Sequence, residues 1–517
     1  GSTKVVLFLR VLSGVLSLRE GSSVGMQCWI AGAVLVAAGS YPIWLILLAV
    51  NDVRKILKDR KFVPTDTHEE RVQRVLDHVR EHGIGNKIQK ASNSNRFEYG
   101  NIFLTWVGLI NSKSKLLPLG ALRNVVHIDS ENKVVTVEGA CTMKSLADAL
   151  VPKGFMLPIH PEMHEITVGG AIAGIGIEAA GHKHGFFHDN LLEVDVLCAD
   201  GKVRTASATN EHKDLFAALP NSYATLGYIL KAKLHLAPAA PYVHMKNRVY
   251  TSLKDLLRDM AAAAETKEDD FLEALVFNES HMVLSQSKLE HGTPAVVHDI
   301  YHNQYHHLVQ QNSDLHLPMQ DYMFRFEPDL FCNWHDVLFH RFLRWAMPPS
   351  MRNSRFYRAF FGIEAKVDFV KGWLLGKLEP LIQDWEVPWS SAHDFLRDTF
   401  SRVQLPEGKP WLILPIRPKT FPTNYPLKDT LYMNLGVYLK DVGVDDGKHG
   451  GFGRTRILDD LAFKYQGTKM LYSTSFMTEE DFAERFNGKA YEQIKAKYDP
   501  AGTFKTIFQK CFNNVYT

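Results

Sequence analysis

The segment Glu165–Glu178 reads EITVGGAIAGIGIE and has glycines at positions 169, 170, 174 and 176. Glycine adopts positive φ and lets a backbone approach a neighbouring group closely, and unpaired N–H groups can receive an anion. The spacing is neither the G-x-G-x-x-G of a Rossmann unit nor the G-x-x-x-x-G-K-[ST] of a P-loop. From the residues alone, the segment is either a nucleotide-binding loop of another kind or a tight structural crossing.

The sequence on either side of this segment predicts an α+β domain. Short apolar runs alternate with helical stretches over residues 122–240. The run LEVDVLCADGKVRTA (192–206) predicts a β-hairpin with Asp200-Gly201 at its turn. Residues 62–90 are polar and predict an amphipathic helix with Val72, Val75, Leu76 and Val79 on its apolar face.

The chain has 517 residues, whereas a single hydrophobic core stops growing at roughly 250–300 residues. Two lobes with accessory segments are therefore expected. The Pro/Ala-rich run APAAP (237–241) is the best boundary candidate. We predict three parts, which are an N-terminal anchor with a basic flank (1–61), a first lobe (62–240) and a second lobe (241–517).

Composition excludes some classes of function. The formal net charge is +2 and the pI is near 8.1, so charge gives no argument for nucleic acid as a partner. The five cysteines are scattered, and neither they nor the clustered histidines have the spacing of a metal site. We predict no metal.

The N-terminal region contains an apolar run, Cys28–Val50, in which 23 residues carry no charge. About 20 apolar residues span a hydrocarbon core, so the run predicts a transmembrane helix. Basic residues follow it directly (Arg54, Lys55, Lys58, Arg60 and Lys61), and the positive-inside rule puts that flank in the cytosol. A cleaved signal peptide is the alternative, although its apolar region is usually shorter, at about 7–15 residues.

Three motifs carry a resemblance to a known family: Thr167-Val168-Gly169-Gly170, Gly174-Ile175-Gly176-Ile177-Glu178 and His182-Lys183-His184-Gly185. They resemble the FAD-binding core of the vanillyl-alcohol-oxidase/PCMH superfamily. The similarity is strongest to its delta(24)-sterol reductase (Diminuto/seladin) branch and continues through residues 192–234. The run NSYATLGYI (221–229) is also similar to actinobacterial FAD-linked relatives. The ending Lys497-Tyr498-Asp499-Pro500 with Phe504 resembles the superfamily's C-terminal motif.

The resemblance implies a two-lobed PCMH-type fold in which the first lobe binds FAD. The second, mixed α/β lobe covers the isoalloxazine, and the C-terminal segment returns to the FAD lobe. By their positions in the motifs, five residues would line the pyrophosphate and ribityl chain of FAD: Thr167, Val168, Gly169, Gly170 and Gly174. Four further residues would lie close to the flavin: Gly176, Ile177, His182 and Gly185. Gly227 and Ile229 would complete the binding site from a third segment. Residues 90–100 lack the histidine that binds flavin covalently in many relatives, so dissociable FAD is expected.

The resemblance also implies a function, which is reduction of an isolated C=C bond in a sterol side chain with NADPH as hydride donor. The anchor would place the enzyme on the endoplasmic reticulum membrane with its catalytic body in the cytosol. Three alternatives stay open: a reductase of unsaturated or methylene-branched fatty acyl lipids, an oxidase that uses oxygen, and a catalytically silent, membrane-tethered scaffold. The acyl alternative draws on residues 324–327 (FRFE), where the sterol branch typically has a histidine-rich run.

Reduction of an unactivated alkene requires hydride delivery to one carbon and an acid near the other. Glu178 is the first candidate for the acid, because the motif puts it beside the flavin loop; a structural, salt-bridged carboxylate is the alternative. Tyr322 and Arg325 follow, because they form a polar cluster inside a stretch predicted as an aromatic helix. Tyr438, on the predicted strand LGVYL, is a further candidate facing the flavin.

Overall fold

The computed structural model describes residues 65–84, 117–329, 345–354, 357, 381–403, 409–428, 430–439, 453–473 and 475–512. The predicted anchor, Cys28–Val50, and the segment expected to lack a flavin-linking histidine, 90–100, lie outside the described residues. Among the helices that the structure does describe, none combines the length and the apolar character needed to cross a bilayer.

The first lobe is built on a five-stranded sheet. Its strands are β1 (Val125–Asp129), β2 (Val134–Glu138), β4 (Leu191–Leu197), β5 (Val203–Ser207) and β6 (Tyr228–His235), in the order β1-β2-β6-β4-β5. The predicted hairpin is confirmed, since β4 pairs antiparallel with β5 and Gly201 adopts φ +76° at the turn. The predicted amphipathic helix is also confirmed as α1 (His68–His82), with a capping box at Thr67 and Val75 buried.

Shorter elements complete this lobe. The helices are α2 (Met143–Leu150), α3 (Val168–Ala173), α4 (Gly181–His184) and α5 (Lys213–Ala218), with 3₁₀ turns at Leu119–Ala121, Val151–Lys153 and Phe187–Asn190. The Pro/Ala-rich run that predicts a boundary is not simply a break. Part of it forms β7 (Ala237–Pro238), which pairs with β3 (Phe155–Met156). The first sheet ends at His235 and the second begins at Tyr242.

The second sheet has eight strands in the order β11-β8-β10-β9-β13-β14-β12-β15. They are β8 (Tyr242–Tyr250), β9 (Phe271–Asn278), β10 (His281–Glu290), β11 (Asp314–Pro318), β12 (Leu381–Pro388), β13 (Trp411–Ile416), β14 (Tyr432–Leu439) and β15 (Thr468–Lys469). All their pairings are antiparallel. The helices around this sheet are α6 (Leu253–Thr266), α7 (Tyr305–Gln311), α8 (Met319–Met323), α9 (Trp389–Arg402), α10 (Gly453–Lys464), α11 (Glu479–Arg485), α12 (Gly488–Tyr498) and α13 (Ile507–Cys511).

The two faces of the eight-stranded sheet pack differently, because side chains alternate along a strand. On one face, Leu272, Trp385 and Leu435 pack with α6, α9 and α10 in an apolar core. On the other face, residues such as Leu275 and Leu412 join the core of the first lobe. Because this second face packs against the first lobe, the polar side chains on it are buried between the lobes.

One helix prediction is wrong at its start. The aromatic helix predicted around Arg325 covers residues 324–347 (FRFEPDLFCNWHDVLFHRFLRWAM). The structure instead ends α8 at Met323 and has a turn at residues 324–326, and residues 330–344 lie outside the described residues. A 3₁₀ turn, Glu327–Asp329, follows. The turn directs Arg325 into the protein interior, where it forms ion pairs with carboxylates from both lobes. Burial of a paired charge therefore competes with helix propensity at this point.

Candidate functional site

The glycine-rich segment forms a short helix followed by a strained turn. Thr167 caps α3, and its Oγ1 accepts a hydrogen bond of 3.1 Å from the Gly170 amide. Helix α3 ends at Ala173 with Gly174 as its C-cap, and Ile175 adopts φ +57°. A left-handed conformation is unfavourable for a β-branched residue and marks a place where the surrounding structure imposes the backbone geometry.

The glycines also make a tight crossing, so both initial interpretations of the segment retain support. The Gly169 amide donates to the Gly139 carbonyl at 2.8 Å. A Cβ on Gly139 would lie 2.0 Å from the Ile229 carbonyl oxygen, and one on Gly169 would lie 3.0 Å from the Gly139 oxygen. The structure thus brings Gly169 and Ile229, both predicted cofactor contacts, to one point. Gly139 joins them; the sequence analysis missed it, although it directly follows an apolar strand.

A second strained segment, Asn221–Thr225, lies against the glycine-rich segment. Asn221, Tyr223 and Ala224 have φ values of 60°, 50° and 60°. The Tyr223 amide donates to the Ala173 carbonyl at 3.1 Å, and the Tyr223 ring lies 3.7 Å from the Cβ position of Gly174. Asn221 Oδ1 and Ser222 Oγ are fully buried and have no hydrogen-bond partner within the described part of the chain.

These unpartnered atoms test whether the residues fit a nucleotide cofactor. Buried polar atoms are nearly always hydrogen-bonded, so two without partners in one segment require an explanation. A polar cofactor group bound beside Asn221 and Ser222 would account for both. The residues present therefore fit FAD.

The remaining predicted cofactor residues have varied surroundings. Val168 packs fully into the core, and Ile177 is also buried. The ring nitrogens of His182 lie 3.3 and 3.0 Å from the carbonyl oxygens of Ala179 and Asp269, so the ring links the lobes. Gly185 (φ +71°) and Gly227 (φ +153°) occupy positive-φ positions packed against other residues. Their contact with a cofactor stays a prediction.

Glu178, Tyr322 and Arg325 come together at the interface between the lobes. Arg325 is 1% exposed, and its Nη2 donates to Glu178 Oε1 at 2.7 Å. Its Nε donates to Glu273 Oε2 at 3.1 Å, and its carbon Cζ lies 4.7 Å from the centre of the Tyr322 ring. Glu162 Oε1 is 3.7 Å from Arg325 Nη2. We call these five residues the arginine cluster.

The arginine cluster contains three buried carboxyl groups and one guanidinium, so full ionisation would leave uncompensated negative charge in the interior. Burial raises the pKa of Glu178, and Arg325 offsets only part of that effect. Burial, with the neighbouring charge of Glu178, holds the pKa of Glu162 well above its ordinary range. Glu178 Oε2 is buried and has no hydrogen-bond partner in the described residues. The cluster can therefore retain a proton at neutral pH.

Tyr438 belongs to a second polar cluster on the same sheet face. Its hydroxyl donates to both carboxylate oxygens of Asp384 at 2.8 Å, and Tyr472 donates to Oδ2 at 2.6 Å. Burial raises the pKa of Asp384 to about 6. On the same strand, Glu386 accepts hydrogen bonds from Tyr425 and from Asn434 Nδ2, and burial raises its pKa to about 8.

The sequence analysis missed Glu162, Glu273, Asp384 and Glu386. The sequence does contain a signal for three of these residues. FLEALVF, which contains Glu273, and LIQDWEVP, which contains Asp384 and Glu386, are apolar runs interrupted by carboxylates. Charged residues are rarely fully buried unless they are paired. An acidic residue inside an apolar strand is therefore itself a reason to look for a partner or a site.

The Glu386 environment predicts a pH-dependent stability. The pKa of the Glu386 carboxyl is higher in the folded protein than in the unfolded chain, so the protonated carboxyl stabilises the fold. This contribution to the free energy of unfolding is complete below about pH 4.3 and is lost as pH rises through about 8. We expect Glu386→Gln to remove this loss and to be more stable than the parent at pH 8 by on the order of 3–5 kcal/mol. Urea denaturation from pH 5 to 8.5 measures the effect.

The replacement keeps the local hydrogen bonds. The amide oxygen introduced by Glu386→Gln accepts from Tyr425 as the carboxylate does, and Asn434 Oδ1, which has no partner in the described residues, can accept from the new amide after a flip. Glu279→Gln, at the exposed turn between β9 and β10, is the matched control and should leave the pH profile unchanged. Parallel profiles for the parent and Glu386→Gln would contradict the prediction.

Comparison with known proteins gives a consistent result. Residues 67–207 match the family described as FAD binding domain. The chain is 26% identical to the Delta(24)-sterol reductase of Homo sapiens over 75% of this chain and 76% of that protein. It is 26% identical to the Delta(24)-sterol reductase of Pisum sativum over 93% and 90%. It is also 30% identical to the Decaprenylphosphoryl-beta-D-ribose oxidase of Mycolicibacterium smegmatis, over 25% and 28%.

Proposed function

From the premise that this chain is an FAD-dependent oxidoreductase with a PCMH-type FAD-binding domain, we propose that it reduces an isolated C=C bond in a lipid. The proposed substrate is the Δ24 double bond of a sterol side chain, with NADPH as hydride donor. The names of the relatives that align over most of the chain support the substrate class. The observation that carries the chemistry is the buried, proton-retaining arginine cluster between the lobes.

The cofactor contacts are proposed from the fit described above. Thr167, Gly169, Gly170, Gly174 and Ile229 lie at the crossing where a pyrophosphate and ribityl chain would be held. Asn221 and Ser222 would donate to or accept from the same group. Val168 belongs to the same proposed set as Thr167. The proposed contacts close to the flavin are Gly176, Ile177, His182 and Gly185, and Gly227 completes the cradle with Ile229.

FAD would supply the hydride-transfer centre when bound, with NADPH as the proposed source of the hydride. Glu178 supplies the proton: its Oε2 has no partner in the described residues, and its Oε1 is fixed by Arg325 and by the Ala179 amide at 2.6 Å. Arg325 orients the carboxyl group and stabilises the carboxylate that remains after proton donation. Tyr322 packs against the guanidinium and helps to exclude water. Tyr438 and Asp384 provide a second proton-holding pair on the same sheet face.

An unsaturated or methylene-branched fatty acyl lipid is the second candidate substrate. Phe324 and Phe326 replace part of a histidine-rich run that is typical of the sterol branch, and both are buried. His164 packs edge-on against Phe324 with ring centres 4.3 Å apart. The apolar character of residues 324 and 326, where the sterol branch has polar side chains, is the observation that supports this candidate.

We also propose that residues 28–50 anchor the protein in the endoplasmic reticulum membrane with the catalytic body in the cytosol. A membrane anchor would keep the site close to a membrane-dissolved substrate. Extraction of membranes with alkaline carbonate tests the anchor. The full chain should stay in the pellet, and a variant lacking residues 1–61 should not.

Absorbance spectra under anaerobic conditions test the function. Detergent-purified protein should show an oxidised flavin band near about 450 nm, which NADPH bleaches and a Δ24-unsaturated sterol restores. Recovery with a methylene-branched acyl lipid instead of the sterol would select the second candidate. Failure to show the band, even with FAD in excess, would refute the function and the cofactor contacts together.

A further inference from the structure

The strained segment Asn221–Thr225 is held by residues that come from the C-terminal part of the chain. Lys495, on α12, extends its ammonium group to the Thr225 carbonyl at 3.0 Å. Tyr491, one turn earlier, donates its hydroxyl to Thr225 Oγ1 at 2.9 Å. Lys510, on α13, donates to the Tyr223 carbonyl. Three side chains thus bind one short segment that lies far earlier in the chain.

We propose that Lys495 is a positioning residue for the cofactor, because it holds Asn221–Thr225 in the conformation that receives FAD. The segment contains three non-glycine residues in left-handed conformations, and such strain persists only where surrounding contacts over-determine the backbone. It also carries Asn221 Oδ1 and Ser222 Oγ, which are buried and lack partners in the described residues. Without the contacts from α12, the segment would relax and these two atoms would move away from the cofactor.

The surroundings of Lys495 show that this is a specific site for an ammonium group. Besides the Thr225 carbonyl, Nζ donates to the Phe504 carbonyl at 2.9 Å and forms an ion pair with Asp499. Asp499 accepts two further hydrogen bonds, from the Thr503 and Phe504 amides at 2.7 and 2.9 Å. Lysine has three donors, and all three have acceptors here. Asp499 thereby fixes the lysine that fixes the strained segment.

The same helix offers a matched control. Lys497 is two residues away, is 53% exposed, and forms an ion pair with Asp214 on the surface. Lys495→Met and Lys497→Met remove the same charge from the same helix, but only the first removes contacts with Thr225. This inference requires that the chain binds FAD and does not depend on which lipid is reduced.

We expect Lys495→Met to raise the dissociation constant for FAD by about tenfold to a hundredfold, as expected for losing charge-assisted hydrogen bonds. Lys497→Met should bind FAD as the parent does. Titration of the apoprotein, followed by quenching of flavin fluorescence, measures the dissociation constants, and circular dichroism of the apoproteins reports folding. Lys495→Arg should restore part of the affinity, because a guanidinium can still reach a carbonyl and a carboxylate.

Tyr491→Phe covers the case in which Lys495→Met does not fold. It removes a hydroxyl that contacts Thr225 and the Ile507 backbone, and it leaves the ring and the buried Lys495–Asp499 ion pair in place. It should fold and raise the dissociation constant by a few fold. Equal FAD affinity in the parent, Lys495→Met and Lys497→Met would overturn the proposal. If Lys495→Met is unfolded, parent-like affinity in Tyr491→Phe would overturn it as well. Because affinity rather than turnover is measured, failure of the sterol assignment would be seen separately.

Discussion

Glu178→Gln is expected to lower turnover by about 10²–10⁴-fold, the usual range for loss of a positioned general acid. Glutamine keeps the acceptor for Arg325 and the shape of the side chain, but it has no acidic proton. The defect should be confined to lipid reduction. Bleaching of the flavin by NADPH should keep its parental rate, while recovery of the band on adding the lipid becomes slow. Stopped-flow absorbance separates the two half-reactions.

Two further variants show whether the proton comes from Glu178 or from Glu162. Glu193→Gln, in an exposed ion pair with Lys233 on the first sheet, should leave both half-reactions unchanged. Glu162→Gln tests the other carboxyl group whose pKa is held high. A slow second half-reaction in Glu162→Gln, combined with parental rates in Glu178→Gln, would assign the proton to Glu162. Parental rates in both variants would refute proton donation by the arginine cluster.

Arg325→Met should destabilise the protein by about 3–5 kcal/mol, because it leaves Glu178 and Glu273 buried without their cation. Burial lowers the pKa of Arg325, but the two carboxylates outweigh that effect and raise it, so the parent keeps the charge. In the variant, the carboxyl groups should take up protons in the folded state. Burial raises the pKa of Glu178 even in the parent, and without Arg325 to offset it the stability of the variant should be retained at low pH and lost as pH rises.

Urea denaturation at pH 5.5 and pH 8 tests this prediction, and the variant should lie closer to the parent at the lower pH. Arg397→Met is the control: its ion pairs with Asp394 and Asp398 lie at the surface, so this variant should keep the stability of the parent at both pH values. Adding Glu273→Gln to Arg325→Met should restore part of the lost stability. A loss that is independent of pH would indicate that packing, rather than uncompensated charge, is responsible.

Several elements of this protein could be predicted from the sequence because local rules fix them. Hydrophobic period and cap residues define α1, with Val75 buried and Thr67 at its start. Asp200-Gly201 defines a turn because Gly201 supplies the positive φ that the hairpin needs. The motifs around Gly169 and Gly176 indicate the FAD-binding family, and at Gly169 the backbone of Gly139 comes close enough to favour glycine.

The conformation of residues 324–329 could not be predicted in the same way. Phe324 and its neighbours have the composition of an aromatic helix, but α8 ends at Met323. The decisive interaction is the ion pair of Arg325 with Glu178, which is 147 positions earlier in the chain. Propensity is a weak preference compared with the free energy of an unpaired buried charge, so tertiary structure decides the local conformation here.

The sequence by itself therefore determined the cofactor class, the hairpin and helix that frame the FAD lobe, and Glu178 as a candidate acid. Only the tertiary structure decided which groups surround that acid. Glu162, Glu273 and Arg325 meet it through the packing of two sheets, and Lys495 reaches Thr225 across 270 positions. The close crossing at the glycine-rich segment depends on which residues in that segment are glycine, which the sequence shows directly. The conformation of Asn221–Thr225 and the pKa of a buried carboxyl depend on contacts, burial and charges supplied by distant segments.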